Sequence, residues 1–454
     1  MSEMIAGMDW QQQYSFASKQ AILGLFFDGI ERLGEEYPEE LKQNPIGREL
    51  LMTWMGKAQQ IRRQNMKVNA VASKLFSMLR EDGMRCCVLK GQGNALMYPN
   101  PYSRTPGDID VWIDASRERI MEYAQKKFEL GDDIRLQHLE ASLDGVPVEL
   151  HFFPCSMNNP IYHARLQKWF RRNADLQCSH IVGLPDGAGD IAIPTTAFNV
   201  IYQLTHLYHH FFDEGIGMRQ IIDYFLVVND FSKNVFLNND LSNHPVNFSN
   251  HPVPLSKEGS TFSPSPSSMV FTPPSVPPFP GDRNLRSGDV TAPSRCSEPL
   301  RSKDGGASKP SPNCAGWDRL AIEGDNSAGS TTAVTFSAST ALVVVQRELK
   351  HLGLWKFAGA VMYVLHEALG LPEEKMIAPM DEKRGKLLLA EILNGGNFGR
   401  HFTKYGHFTQ QGMAKKYFLK IWRNMHFVRY FPAEALSEPI FRTWHFFWRL
   451  KHRR

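Results

Sequence analysis

Asp108 and Asp110 stand one residue apart in the run GDIDVWID, surrounded by Ile109, Val111, Trp112 and Ile113. In a strand, residues two apart face the same side, so the spacing predicts that the two carboxylates point together while Ile109 and Val111 enter a core. Two carboxylates held that close repel. Such a pair is stabilised either by raising one pKa or by binding a divalent cation, and hard oxygen ligands suit Mg²⁺. Glu149 and His151 in VPVELHF repeat the geometry on one face of another strand, so Glu149 is placed to supply a third carboxylate. Three acids on adjacent strands would suit a two-metal site, whose ions clamp the attacking and leaving oxygens of an in-line phosphoryl displacement.

A second group of residues complements the acids. Gly91 and Gly93 follow the apolar run CCVLK and precede NALMY, a short helical pattern, so backbone N–H groups at a helix start could face phosphate oxygens. Lys90 and Arg104 add positive charge nearby. Singly these signals are weak, because KGxG is common and a DxD pair often marks a solvated turn. The order is far more specific: strand, glycine-rich turn, helix, strand with DxD, strand with a third acid.

This order resembles the nucleotidyltransferase superfamily, which shares the fold of DNA polymerase beta. More closely, VLKGQGNALMYP, RTPGDID and VELHF resemble a family of bacterial nucleotidyltransferases. Its motifs read as a Leu-Lys-Gly turn, an Arg-x-x-Gly-Asp-hydrophobic-Asp strand and a carboxylate-hydrophobic-His strand. The stretch HLYHHFFDEGIGMRQIIDYF is similar to that family's helical segment. The resemblance spans roughly residues 10–230 and 341–454. It implies that Asp108, Asp110 and Glu149 are catalytic and bind Mg²⁺ or Mn²⁺, and that Lys90, Gly91, Gly93 and Arg104 meet the phosphates of an NTP. One departure stands out: the superfamily's turn is usually Gly-Ser, whereas Gln92 follows Gly91 here.

The elements that must position these residues can be read from periodicity. Residues 10–82 carry apolar positions at helical spacing (Ile22, Leu25, Phe26, then Val68, Val71, Leu75). CCVLK, DIDVWI and VPVELHFF read as strands, and ASRERIMEYAQKKFEL as a helix packed between the second strand and the later one. The expected fold is α+β, a nucleotidyltransferase-like mixed sheet with flanking helices and a mainly α-helical second lobe. The expected divisions are N-terminal helices at 1–80, the α/β core at 81–175, the helical lobe's first part at 176–230, a disordered insertion at 231–340, and the lobe's second part at 341–454. The insertion holds about half of the chain's 28 prolines, with dense Ser and Asn and no sustained period. Such a segment cannot bury enough apolar surface to offset roughly 1 to 2 kcal/mol per residue of backbone ordering.

Other residues admit plainer readings. His206, His209 and His210 fit an amphipathic helix as surface or core histidines, and Arg219 and Asp223 are spaced for an intrahelical ion pair. A second reading has Arg219 reaching the nucleotide. The segment after residue 413 carries ten Lys and Arg against two Glu, interleaved with Trp and Phe. It reads as a helix with aromatics inward and cations in water, with nucleic-acid or membrane-surface contact as alternatives.

Composition bounds the rest. A chain of 454 residues, 42% hydrophobic and 22% charged, can bury a sizeable core, and a net charge of +4 permits phosphate contact without implying it. The six cysteines form no CxxC, which predicts reduced thiols. No basic stretch followed by an apolar run opens the sequence, and no window reads as a membrane span, so a cytoplasmic protein is expected. The expected activity moves a nucleoside monophosphate from an NTP to an acceptor that the sequence does not name: a small molecule, a sugar phosphate, a protein side chain or RNA. The rivals are a non-catalytic nucleotide-binding or protein-interaction module on the same fold, and an RNA-binding helical protein built around the basic tail.

Overall fold

The computed structural model describes residues 2–240, 338–401 and 413–452. Five helices come first: α1 (Ser2–Ala6), α2 (Trp10–Lys19), α3 (Leu23–Glu36), α4 (Pro38–Gln43) and the 34-residue α5 (Arg48–Glu81). Then follow β1 (Cys86–Leu89), α6 (Gly91–Ala95), β2 (Ile109–Ile113), α7 (Arg117–Lys127), β3 (Glu129–Ile134), β4 (His138–Leu143), β5 (Val146–His151) and α8 (Pro160–Ser179). A short hairpin, β6 (Ile181–Gly183) with β7 (Asp190–Ala192), leads into α9 (Thr196–Asp213) and α10 (Met218–Asp240). After the gap come α11 (Ala338–His351), α12 (Trp355–Leu369), α13 (Glu382–Gly395), α14 (Met413–Met425) and α15 (Pro432–His452).

The main sheet is mixed, in the order β1-β2-β5-β4-β3, with β2 and β5 parallel and the other neighbours antiparallel. Alternation divides its residues between two cores. Cys86, Val88, Ile109, Val111, Ile113, Val148 and Leu150 point to one face. There α5 meets them with Val68, Val71, Ala72, Leu75, Phe76 and Leu79, a stripe at spacings of three and four, and α7 adds Ile120 and Ala124. Cys87, Leu89 and Trp112 point to the other face, into a larger cluster built by helices. Trp112 lies over Phe198 of α9 with ring centroids 6.2 Å apart and planes 11° apart, and Trp169 of α8 stacks on Phe198 at 4.6 Å. The central helix α9 is buried over most of its surface, its polar Asn199, Gln203, Thr205 and His206 included. All described residues fall within one contact unit, so sheet and helices share it.

The α+β class and the mixed sheet agree with expectation, and three details differ. The sheet has five strands where three were expected: β3 and β4 follow α7. Helix α10 continues to Asp240, ten residues into the segment read as an insertion, and the remainder at 241–337 lies outside the described residues. Between α14 and α15 the expected inward packing holds for Phe427 and Phe431, which join the α9 core. On the helices themselves it does not hold for Phe418 and Trp422 of α14 or Trp444 and Phe447 of α15, which are exposed. Cys86, Cys87, Cys155 and Cys178 are free thiols, and Cys296 and Cys314 lie outside the described residues. Among the described residues, no helix is long and apolar enough to cross a membrane.

Candidate active site

The parallel pairing of β2 and β5 sets Asp110 directly opposite Glu149, and β1 sets Leu89 on the other side of Asp110. Asp108 sits one residue before β2 begins and is exposed, whereas Asp110 is 4% exposed. The strand geometry expected for the pair therefore starts one residue later, yet the carboxylates still converge. Asp108, Asp110 and Glu149 each bring one oxygen within 4.8 Å of the others.

Their charges are unequally satisfied. Burial alone would raise Asp110, but the Lys90 ammonium and the His151 hydrogen bond outweigh it and hold the carboxyl well below the usual range. Lys90 Nζ is 3.0 Å from Asp110 Oδ1, and His151 Nε2 is 3.1 Å from both Asp110 Oδ1 and Glu149 Oε2. Burial works against charging His151, yet those two carboxylates overcome it and lift the imidazole to about 9. Asp108 has no such cation of its own: the Asp110 charge, then burial, push its carboxyl up to about 6. His138, across the β4–β5 hairpin, is lowered to about 4 by burial and then by the His151 charge.

Lys90 and Gly91 form the expected turn, and both have positive φ, at 53° and 47°. A lysine in that region stores backbone strain, a cost that concentrates at functional sites. Lys90 Nζ also donates to His206 Nε2 at 2.8 Å, and His210 Nε2 lies 3.0 Å from the same nitrogen. Burial, then the Lys90 charge, keeps His206 neutral. Gln92 turns away from the cleft, buried, and donates to Asn69 of α5. Gly93 is buried too: a Cβ there would stand 2.9 Å from Ile193 Cγ2, so the structure gives this glycine a packing reason.

The segment preceding Asp108 is anchored from two sides. Asn65 of α5 donates to the carbonyls of Tyr102 (3.0 Å) and Arg104 (2.8 Å). Arg104 itself is buried in a bidentate pair with Asp223 of α10, to which Tyr98 Oη also donates. Asp223 thus takes Arg104, and the intrahelical Arg219–Asp223 pairing expected from spacing gives way to this tertiary one. Arg219 instead donates through Nη1 to Thr105 O at 3.1 Å, lies over the Phe398 ring at 5.5 Å, and keeps an Nε without a hydrogen bond.

These groups border an open cleft lined by Asp108 and Asp110 together with Lys90, His206, Arg104 and Arg219. Of the expected phosphate-binding residues, Lys90, Gly91 and Arg104 line the cleft, and Gly93 does not. Glu149 lies behind Asp110. The cleft joins hard oxygen donors to four cationic or imidazole side chains, a charge pattern suited to a polyphosphate with a divalent ion. Sequence reasoning missed His138, Asn94 and Gln203; the last two exchange side-chain hydrogen bonds of 3.0 and 2.6 Å between α6 and α9. His138 had a signal. The Asp144-Gly145 pair, both at positive φ, forms the two-residue turn of the β4–β5 hairpin, and counting outward from it pairs His138 with His151.

A sequence-family profile described as "Uncharacterised nucleotidyltransferase" matches residues 6–242, more than half of the chain, from the first helices through the sheet to the end of α10. The chain belongs to this family. The match takes in every residue of the cleft named above except Phe398. Among solved structures, the chain is similar to an antigenic nucleotidyltransferase-like protein from Paracoccidioides brasiliensis, at 17% identity and a TM-score of 0.26, over 38% of this chain and 85% of that one. No curated protein sequence matches.

Proposed function

We propose that this nucleotidyltransferase-family chain moves a nucleoside monophosphate from an NTP to an acceptor hydroxyl or phosphate, with pyrophosphate leaving. The observation that carries the reading is the convergence of Asp108, Asp110 and Glu149 within 4.8 Å, with Asp108 and Asp110 lining a cleft that cations also line. The three carboxylates are the ligands of Mg²⁺ or Mn²⁺. A bound ion supplies charge neutralisation along the triphosphate and polarises the reacting phosphoryl group. Lys90, the Gly91 backbone and Arg219 receive the phosphates, and Glu149 orients the acceptor and takes up its proton. Arg104 holds the segment before Asp108 in place through Asp223.

The test is a screen of the purified protein with each labelled NTP and Mg²⁺ or Mn²⁺, scored for pyrophosphate release and for label on an added or endogenous acceptor. Metal-dependent release that disappears in Asp110→Ala and Glu149→Ala is the expected result. Release that persists in both folded variants overturns the assignment. Label on the protein itself points to protein modification, and label on RNA to a nucleic-acid acceptor.

One observation favours the non-catalytic alternative. The Lys90 ammonium already rests 3.0 Å from Asp110 Oδ1, where it neutralises a carboxylate that a metal ion would otherwise engage. On that reading nucleotide raises the melting temperature without any pyrophosphate release or label transfer, and the same screen separates the two.

A further inference from the structure

The β4–β5 hairpin presents a second cluster of donors beside the acid trio. His138 stands directly across from His151 in the antiparallel register, and Glu149 lies two residues before His151 on the same face. Glu149 Oε2 is 3.1 Å from His151 Nε2 and 3.3 Å from His138 Nδ1, and all three donor atoms lie within 4.8 Å of one another. Donors sharing one ion at bond lengths of about 2.0 to 2.2 Å stand roughly 3 to 3.5 Å apart.

His138 provides an independent sign. It is 7% exposed, and neither ring nitrogen makes a hydrogen bond. Buried polar atoms seldom go without a partner. At 3.3 Å, Nδ1 is close enough to Glu149 Oε2 to bond but is not aligned with it, as expected of two donors aimed at a common third point. The His151 ring is oriented from behind by Gln137, whose side-chain nitrogen is 3.3 Å from Nδ1 and also donates to Pro154 O at 3.0 Å. An amide nitrogen only donates, so Nδ1 accepts and the ring proton stands on Nε2, where a bound ion would take its place.

We propose that His138, Glu149 and His151 form a binding site for a divalent transition-metal ion. Two imidazoles and one carboxylate suit Mn²⁺, Fe²⁺, Co²⁺ or Zn²⁺ and disfavour Mg²⁺, which takes oxygen donors and water. Glu149 belongs to this site and to the acid trio. If the nucleotidyl-transfer reading holds, on which this clause rests, the two ions of the reaction differ in kind: a hard one at Asp108 and Asp110, an imidazole-bound one at His138 and His151.

The experiment uses the full chain, stripped with chelator and titrated with Co²⁺, whose visible ligand-field bands report imidazole coordination. One Co²⁺ per chain is expected, displaced by Zn²⁺ and unaffected by a hundredfold excess of Mg²⁺. His138→Ala and His138→Gln should each weaken it at least tenfold, and Asp108→Asn less than twofold. If both His138 variants fail to fold, the parent decides: Zn²⁺ should shift the imidazole ¹⁵N resonances of His138 and His151. Unchanged Co²⁺ affinity in folded His138 variants, displacement by Mg²⁺, or unshifted His138 resonances would each overturn the proposal. Absence of nucleotidyl transfer leaves the Co²⁺ result standing. Conversely, loss of the Co²⁺ site with Asp108-dependent nucleotide binding intact removes this inference and spares the other.

Discussion

Arg104 and Asp223 face each other through two parallel hydrogen bonds, Nε to Oδ1 and Nη2 to Oδ2, each 2.9 Å long, with both side chains buried. The pair joins the segment ahead of Asp108 to α10. Burial would raise the Asp223 carboxyl, but the Arg104 charge and its bonds outweigh it and hold the group below its ordinary value.

Breaking that pair on one side strands the other charge. Arg104→Met and Asp223→Leu should therefore each lower unfolding stability by about 3 to 5 kcal/mol, while the double variant loses much less than their sum. Arg104→Lys should rescue little, because an ammonium cannot reproduce the planar fork. Urea denaturation of the four proteins gives the cycle, and additive losses would show that the two groups are not coupled.

Asp108, raised to about 6, must ionise before it can hold a cation. At a hundredfold excess of ligand over its dissociation constant, Mg²⁺ with NTP should stabilise the parent by about 2.7 kcal/mol. That gain should shrink as pH falls from 7 through 6 to 5. Asp108→Asn should abolish it. The same change should raise the metal-free stability at pH 7 by about 1 kcal/mol, since Asp108 is exposed and solvent screens part of its repulsion with Asp110. Thermal melts with and without metal at three pH values measure all of this; a pH-independent metal shift would separate Asp108 from the ion.

Glu434 of α15 is buried and is not among the residues that line the cleft. Burial lifts its carboxyl from 4.5 to about 7, although Oε1 accepts from Asn158 N at 2.5 Å and Oε2 from Asn159 N at 3.2 Å. Below pH 4.5 the folded and unfolded chains both carry this proton. Between 4.5 and 7 only the folded chain keeps it, so stability falls as pH rises and levels off above 7. The expected fall is on the order of 2 to 3 kcal/mol, and Glu434→Gln should lack it. Denaturation midpoints should fall from pH 4.5 to 7 in the parent and lack that fall in the variant, the two curves running parallel only above 7; curves parallel throughout would show that Glu434 is not the titrating group.

Gly93→Ala should cost about 1 to 2 kcal/mol, because its Cβ meets the stiff, β-branched Ile193 at 2.9 Å. Ile193→Ala in the same chain should recover part of the loss relative to Ile193→Ala alone. An unchanged melting temperature in Gly93→Ala would mean that α6 shifts freely, contrary to its tight seat.

The acids and the turn could be read from the sequence because their information is local. Alternation marks β1, β2 and β5, and Asp108, Asp110 and Glu149 follow from the spacing along those strands. The strands β3 and β4 were harder to see, since Gly131 and the two acids after it, Asp132 and Asp133, interrupt any apolar alternation in β3. Tertiary pairings were not readable. Four-residue spacing on α10 suggested Arg219 for Asp223, but the partner that wins is Arg104, which lies far away in the chain and brings a buried, bidentate geometry. Gln92 looked like a lost phosphate contact, whereas its buried bond to Asn69 shows a structural demand that only the fold reveals.

Asn65 and Asn69 sit one turn apart on the same side of α5, and between them they hold both banks of the cleft: Asn65 the carbonyls of Tyr102 and Arg104, Asn69 the side chain of Gln92. The separation of the phosphate turn from the first aspartate is thus gauged against a single rigid rod. Neither bank can drift alone without abandoning its asparagine, and a fluctuation that frays the middle of α5 releases the two together. The cleft behaves as one mechanical part, whose opening is a property of the helix behind the sheet.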